Sequence, residues 1–234
     1  MQSLCFSSAD ALPPGIEVFR LDLDLAREAE ASDAWHVLIP DEHTRAARFV
    51  RNADRVRFAA TRATLRQLLA QRMGCAPMDL VLGAGPHGKP FVQHAADPRL
   101  APLFNVAHSG AHALIALADP AQVSDIGVDI ERVDAGIELQ AMAGMVFTPR
   151  ERDAIDAAAD PVAAFFLRWS GKEAVLKALG LGITEHLQSI GLQPDGAHGL
   201  AIETAMAEWA SLQAGTLAAP QGYAAALAWR VVAR

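Results

Sequence analysis

Apolar and polar residues alternate from Glu17 to Leu25 (EVFRLDLDL), which predicts a strand with one buried face. Ala26 to His36 reads as a short helix. Ile39-Pro40-Asp41 breaks the chain, and Asp41 is suited to cap the next element. From Glu42 to Met73, Ala46, Phe49, Val50, Val56, Ala60, Ala63 and Leu68 recur at roughly helical spacing. A break near Asn52 divides this stretch into two helices, and Gly74 stops the second.

Leu80 to Val92 contains two short apolar runs around a loop of Gly83, Gly85, Pro86, Gly88 and Pro90. It is not a nucleotide P-loop, because Lys89 is followed by Pro90 where Ser or Thr is required. It is not a dinucleotide turn, because no helix follows. Strands are expected at Leu103 to Ala107, Ala113 to Ala118 and Ile126 to Val133, and a helix at Ile137 to Met145. Thr148-Pro149-Arg150-Glu151 starts a helix: Thr148 caps, Pro149 takes the first position and Glu151 closes a capping box. Asp160-Pro161 opens another, running to about Leu179 before Gly180 and Gly182. Beyond Ile190 the chain reads as short strands, with Trp209 and Tyr223 to Val231 as strand material. Strand-then-helix order occurs before Gly74 and again after Ile126, a faint repeat compatible with two similar α+β halves.

Composition narrows the class. The 234 residues are 52% hydrophobic and 20% charged, a globular balance. Two cysteines, Cys5 and Cys75, make no disulfide framework and suit a reducing compartment. The N-terminal MQSLCFSSADALPPG lacks the basic-then-apolar layout of a leader, and no apolar run approaches a membrane span. The expectation is a cytoplasmic protein. A net charge of -7 argues against a broad nucleic-acid surface. The charge is uneven, however: Arg45, Arg48, Arg51, Arg55, Arg57, Arg62, Arg66 and Arg72 face only Asp54 within their stretch. That pattern fits a solvated face, a local anion site or an acidic partner.

The candidate chemistry begins with Asp129 and Glu131, two apart on a strand and so on one face, with Val128 and Ile130 on the other. The pair alone fits a solvated strand face or a shared cation. On the helix from Pro161, Val162, Phe165, Phe166, Trp169 and Leu176 form an apolar stripe, and Glu173 falls inside it, with Lys172 and Lys177 on its flanks. Glu173 there is either an i,i+4 partner of Lys177 or a third ligand to that cation. Three carboxylates suit Mg2+, and no Cys/His cluster suits zinc. Arg57, Lys89 and His108, which precedes Ser109-Gly110, are spaced donors of the kind phosphates need. His112 reads as structural. His43, His87 and His94 receive no role, and HSG is not a nucleophile elbow.

The blocks GKPFV, FNVAHSG, GVDIERV, FTPRE and FFLRWSGKEAVLKALGLG together resemble the 4'-phosphopantetheinyl transferase superfamily, in its longer form with two similar halves. The strong motifs run from Gly88 to Gly182; Ala107 stands where the family often has serine. The resemblance implies an α+β fold of two pseudo-symmetric halves with coenzyme A in the cleft between them. Residues 1–120 would hold the nucleotide through Arg57, Lys89 and His108. Residues 121–234 would bind Mg2+ through Asp129, Glu131 and Glu173, with Lys177 near the pyrophosphate. The implied activity moves phosphopantetheine to a serine of an apo acyl or peptidyl carrier protein. Glu173 and Lys177 are the catalytic candidates, and either Glu173 or a metal-bound water takes the serine proton. The expected enzyme is a monomer without nucleic-acid or membrane partners. Its acidic carrier would be steered by the arginines between Arg45 and Arg72, or by Arg168 and Lys172.

Overall fold

The computed structural model describes residues 4–5, 12–93, 101–182 and 186–233. Most of the N-terminal segment read for a leader, and His94, lie outside them. In chain order the strands are β1 (Leu4–Cys5), β2 (Ile16–Asp22), β3 (Val81–Ala84), β4 (Pro90–Gln93), β5 (Leu103–Ser109), β6 (His112–Ala118), β7 (Val123–Arg132), β8 (Ile190–Asp195), β9 (Gly199–Thr204), β10 (Gln213–Thr216) and β11 (Tyr223–Val231). The helices are α1 (Pro40–Ala47), α2 (Asn52–Met73), α3 (Leu139–Val146), α4 (Pro149–Asp156) and α5 (Pro161–Leu179).

Two antiparallel sheets, ordered β1-β2-β6-β5 and β7-β11-β10-β9-β8, form the body, and β3-β4 is a separate hairpin. In each half the first long strand pairs with the last, and the last pairs with its hairpin neighbour: β2-β6-β5 repeats as β7-β11-β10. The long helix lies between those strands in sequence, α2 in one half and α5 in the other, and each ends at a left-handed glycine, Gly74 (φ 66°) and Gly180 (φ 68°). This is the expected α+β fold of two similar halves.

Strand alternation builds the layers. Phe19, Leu21, Ile115 and Leu117 pack with Leu65, Leu68 and Leu69 of α2. Ile16, Leu114 and Ala116 pack with Ile126, Val128, Ile130, Ala225 and Leu227 of the second sheet. Ala226 and Ala228 turn the other way and meet Ala174, Val175 and Ala178 of α5. The order is helix, sheet, sheet, helix. The edge strands β5 and β7 adjoin, and side chains bridge them. Asn105 Oδ1 accepts the Val128 N–H at 2.9 Å, and Ser109 Oγ accepts the Arg132 N–H at 3.0 Å.

Local signals behave as read at most helix ends. Thr148 Oγ1 accepts the Glu151 N–H while Glu151 accepts the Thr148 N–H, closing the capping box. Asp160 accepts the Ala163 N–H. Four local readings need correction. Ala26 to His36 forms only two 3-10 turns, at Ala29–Ala31 and Trp35–Val37; Asn52 takes the Ala29 N–H and Ser32 Oγ its carbonyl, and both compete with a continuous helix. Asp41 is not the cap, because α1 already starts at Pro40; Glu42 instead accepts the Ile39 N–H. Val50 lies between α1 and α2 and is 94% exposed. Trp209 closes a 3-10 turn and is buried there.

Candidate functional site

The α5-facing positions of β7 are Gly127, Asp129 and Glu131, since Ile126, Val128 and Ile130 point into the core between the sheets. Gly127 has no side chain, and a Cβ there would collide with the backbone of Ala174 and Ala178. The helix therefore lies directly on the strand. Running antiparallel to β7, α5 presents the i,i+4 row Trp169, Glu173 and Lys177 to the two acids. Lys177 Nζ donates to Asp129 Oδ1 at 2.6 Å and lies 3.9 Å from Glu173. Glu131 accepts from Ser109 Oγ at 2.8 Å and from Trp169 Nε1 at 3.4 Å. Asp129 is 2% and Glu173 4% exposed.

Burial dominates the electrostatics, and attraction to Lys177 opposes it more than repulsion among the acids adds to it. Desolvation raises the Asp129 carboxyl to about 6 against the pull of Lys177. Desolvation likewise raises Glu173 to about 7, with Asp129 and Glu131 adding repulsion. Burial works against charge on Lys177 too, but the surrounding acids outweigh it and its pKa is raised.

Beside this row a cleft of about 580 Å³ opens between the halves. Arg45, Arg62, His87, Lys89 and Lys177 line it together with Asn105 and Gly180, and among the described residues no carboxylate does. Lys89 Nζ donates to the carbonyls of Ile126 (3.0 Å) and Ala178 (2.8 Å), so it ties the β3–β4 hairpin to the end of α5. Burial lowers its pKa to about 8. Arg57 and His108 sit at the β5–β6 turn. Arg57 Nε donates to the Gly110 carbonyl at 2.7 Å and its Nη1 to Asp54 at 2.6 Å. His108 is surface-accessible, yet enough protein surrounds its ring that desolvation, ahead of the Arg57 and Lys177 charges, lowers its pKa. The turn is held from the other half as well: Tyr223 Oη accepts the Ala111 N–H at 3.1 Å. Gly110, at φ 53°, leaves no room for a Cβ beneath that hydroxyl.

The structure thus groups Asp129, Glu173 and Lys177, sets Glu131 beside them, puts Lys89 in the cleft, and puts Arg57 and His108 on the neighbouring turn. Arg45, Arg62 and His87 also line the cleft, although sequence reasoning singled out none of them. The only hint was the arginine-rich stretch. Two steering candidates fall away. Lys172 is fully buried, paired with the equally buried Glu151 at 2.8 Å and bonded to the carbonyls of Val146 and Leu187. Arg168 is 5% exposed and bonds Ala164 and Gln193. Much of the arginine excess is also cancelled by acids distant in sequence: Glu42 for Arg66, Glu30 for Arg55 and Glu17 for Arg72. Arg48 and Arg51 are exposed and make no ion pair among the described residues.

The donor set suits a hard divalent cation, all oxygen and anionic. Asp129 Oδ2 is buried without a hydrogen-bond partner, so it is a free ligand atom. As they stand, no three ligand-type side chains among the described residues converge on one point. Lys177 occupies Asp129, and Ser109 and Trp169 draw Glu131 aside.

The basic lining of the cleft is of the kind that polyanions need, and the cleft reaches Lys177, which pairs with the buried Asp129. The profile of the 4'-phosphopantetheinyl transferase superfamily matches residues 125–228, and that of the 4'-phosphopantetheinyl transferase N-terminal region matches residues 26–120. HetI, a 4'-phosphopantetheinyl transferase of Nostoc sp., is 34% identical over 173 residues, 73% of this chain and 70% of that protein. The Synechocystis sp. protein slr0495 is 35% identical over 66% of this chain, and the chain spans only 61% of its length. The L-aminoadipate-semialdehyde dehydrogenase-phosphopantetheinyl transferase of Schizosaccharomyces pombe is 28% identical over 72% of this chain and 70% of its own. The crystal structure of holo-[acyl-carrier-protein] synthase from Neisseria meningitidis superposes with a TM-score of 0.41 and 24% identity, covering 46% of this chain and 98% of that one. The chain belongs to the 4'-phosphopantetheinyl transferase superfamily, and it is an enzyme of that class.

Proposed function

We propose that the chain transfers the 4'-phosphopantetheine group of coenzyme A to a serine hydroxyl of an apo carrier protein, with Mg2+, and releases 3',5'-ADP. The observation that carries this reading is the row Trp169, Glu173 and Lys177 lying against Asp129 and Glu131 at the end of a basic cleft. The serine oxygen attacks the phosphorus that carries pantetheine. The bond from that phosphorus to the bridging oxygen breaks, and the electron pair leaves with 3',5'-ADP.

The cleft cations Arg45, Arg62 and Lys89 suit the nucleotide phosphates, with Arg57 and His108 as the 3'-phosphate candidates on the turn. Lys177 supplies positive charge where the leaving diphosphate side gains negative charge. Glu173, with a pKa of about 7, is matched to accept a proton near neutral pH, and it is the general-base candidate. Asp129, Glu131 and Glu173 would hold Mg2+, whose contribution is to neutralise the pyrophosphate charge.

We assign the nucleotide side to residues 1–120 and the metal and proton chemistry to residues 121–234. An acidic carrier suits the exposed Arg48 and Arg51 that flank Val50. Among the described residues no helix is long and apolar enough to cross a membrane. A cytoplasmic monomer is the accompanying proposal.

The test is incubation of the protein with coenzyme A, Mg2+ and a panel of purified apo carrier proteins, read by intact mass. A phosphopantetheine adduct on the carrier serine supports the reading. Breakdown of coenzyme A without any adduct would make the protein a hydrolase instead.

A further inference from the structure

Lys177 has two environments. Its ammonium donates to Asp129 Oδ1 at 2.6 Å and lies 3.9 Å from Glu173, while its side chain also lines the basic cleft with Arg45, Arg62 and Lys89. The other Asp129 oxygen is buried and has no partner. A divalent cation bound through this carboxylate would lie within a few ångströms of the ammonium. Two cations that close in a poorly solvated site repel strongly. Three acids without any cation are equally unfavourable, because desolvated carboxylates repel one another. The ammonium and a metal would therefore compete for Asp129, the acid that Lys177 already bonds.

We propose that Lys177 is a built-in counter-ion that a divalent cation displaces from Asp129, and that its displacement delivers the ammonium into the cleft. The inference rests on the metal reading above and deepens it. In the resting protein Lys177 pairs with Asp129 and offsets part of the charge of the acid row. Metal entry frees it, so the cation that suits a phosphate becomes available only once the metal site is filled. The geometry favours this exchange because the side chain that bonds Asp129 also lines the cleft.

The experiment titrates the full chain with Mn2+ and counts free ion by electron paramagnetic resonance. The proteins compared are wild type, Lys177→Met, Lys177→Gln and Asp129→Asn. Removing the internal competitor should tighten Mn2+ binding at least about tenfold in both Lys177 variants, since close charge pairs in buried settings couple by that much or more. Their thermal midpoints should fall in EDTA and recover with Mn2+ by more than wild type gains. Asp129→Asn should lose the site. Lys177→Gln keeps a polar side chain, so it reports if the methionine variant fails to fold. Binding in the Lys177 variants equal to or weaker than wild type, with Asp129→Asn still abolishing it, overturns the exchange and leaves the metal reading standing. No Mn2+ bound by wild type or by either Lys177 variant overturns both.

Discussion

A Cβ on Gly127 would lie 2.0 Å from the carbonyl oxygen of Ala174, and 2.3 Å from the backbone nitrogen of Ala178. Both clashes are with the backbone of α5, which cannot yield as a side-chain tip would. The close seating of helix on strand is what brings Glu173 and Lys177 within reach of Asp129. Gly127→Ala should therefore lift α5 off β7. The expected loss is about 2–3 kcal/mol, in the range of overpacked cores. For a chain this size that lowers the melting midpoint by roughly 4–12 °C. Calorimetry would check it, and an unchanged midpoint would show that the contact is looser than described.

The raised pKa of Glu173, about 7, has a direct consequence for stability. A carboxyl whose folded pKa exceeds its unfolded value binds more protons when folded, so stability falls as pH rises from the unfolded value through 7. Glu173→Gln imitates the protonated form. The variant should match wild type at pH 4, below the unfolded carboxyl's value, and be more stable at pH 8 by up to about 3 kcal/mol, or roughly 6–12 °C in the melting midpoint. Melting curves at the two pH values settle the matter; a variant less stable than wild type at pH 8 would mean that the charged form is well compensated.

Asp129→Ala removes the carboxylate that both Lys177 and the proposed cation need. Carrier modification should fall by about 10²–10³-fold, comparable to loss of a key electrostatic group. Circular dichroism should remain native-like, because Val128 and Ile130 still hold the strand in the core. Activity retained at saturating Mg2+ would remove Asp129 from the metal set.

Arg57 is aimed at the β5–β6 turn, and its proposed ligand is the 3'-phosphate. Arg57→Ala should raise KM for coenzyme A by about tenfold, the equivalent of one charge-assisted contact. It should change KM for 3'-dephospho-coenzyme A much less. Equal losses on the two substrates would restrict Arg57 to holding the turn.

Tyr223→Phe deletes the acceptor of the Ala111 N–H without altering the ring against His112. A lost acceptor in a part-buried setting costs about 1 kcal/mol. A midpoint drop of roughly 2–4 °C is expected. Denaturant unfolding should show an unchanged slope, since no surface is newly exposed.

Much of this molecule was legible in local pattern. Alternation found β2, a short apolar run found β6, and the caps at Thr148 and Asp160 and the stops at Gly74 and Gly180 marked three helices. Each of these signals is a contact within a few residues, where spacing alone fixes geometry. Glu173 was legible for a similar reason: a carboxylate inside an apolar helical stripe must be buried, and it is.

The misread charges share one cause. Lys172 and Arg168 read as surface cations because nothing nearby in sequence revealed Glu151 or Gln193, which cover them. The arginine stretch looked unbalanced because Glu17, Glu30 and Glu42 lie before it. Val50 fitted a helical period and fell in the gap between two helices.

By itself the sequence determined most of the elements, the shared face of Asp129 and Glu131, and the burial of Glu173, because these follow from periods of two and 3.6 residues along one chain. Only the tertiary structure decided that Lys177 is bonded to Asp129, that Ser109 and Trp169 draw Glu131 aside, and that Arg62 and His87 share a cleft with Lys89. Those outcomes depend on how closely α5 can approach β7 and on which half faces which, and that is set by packing between segments far apart in the chain.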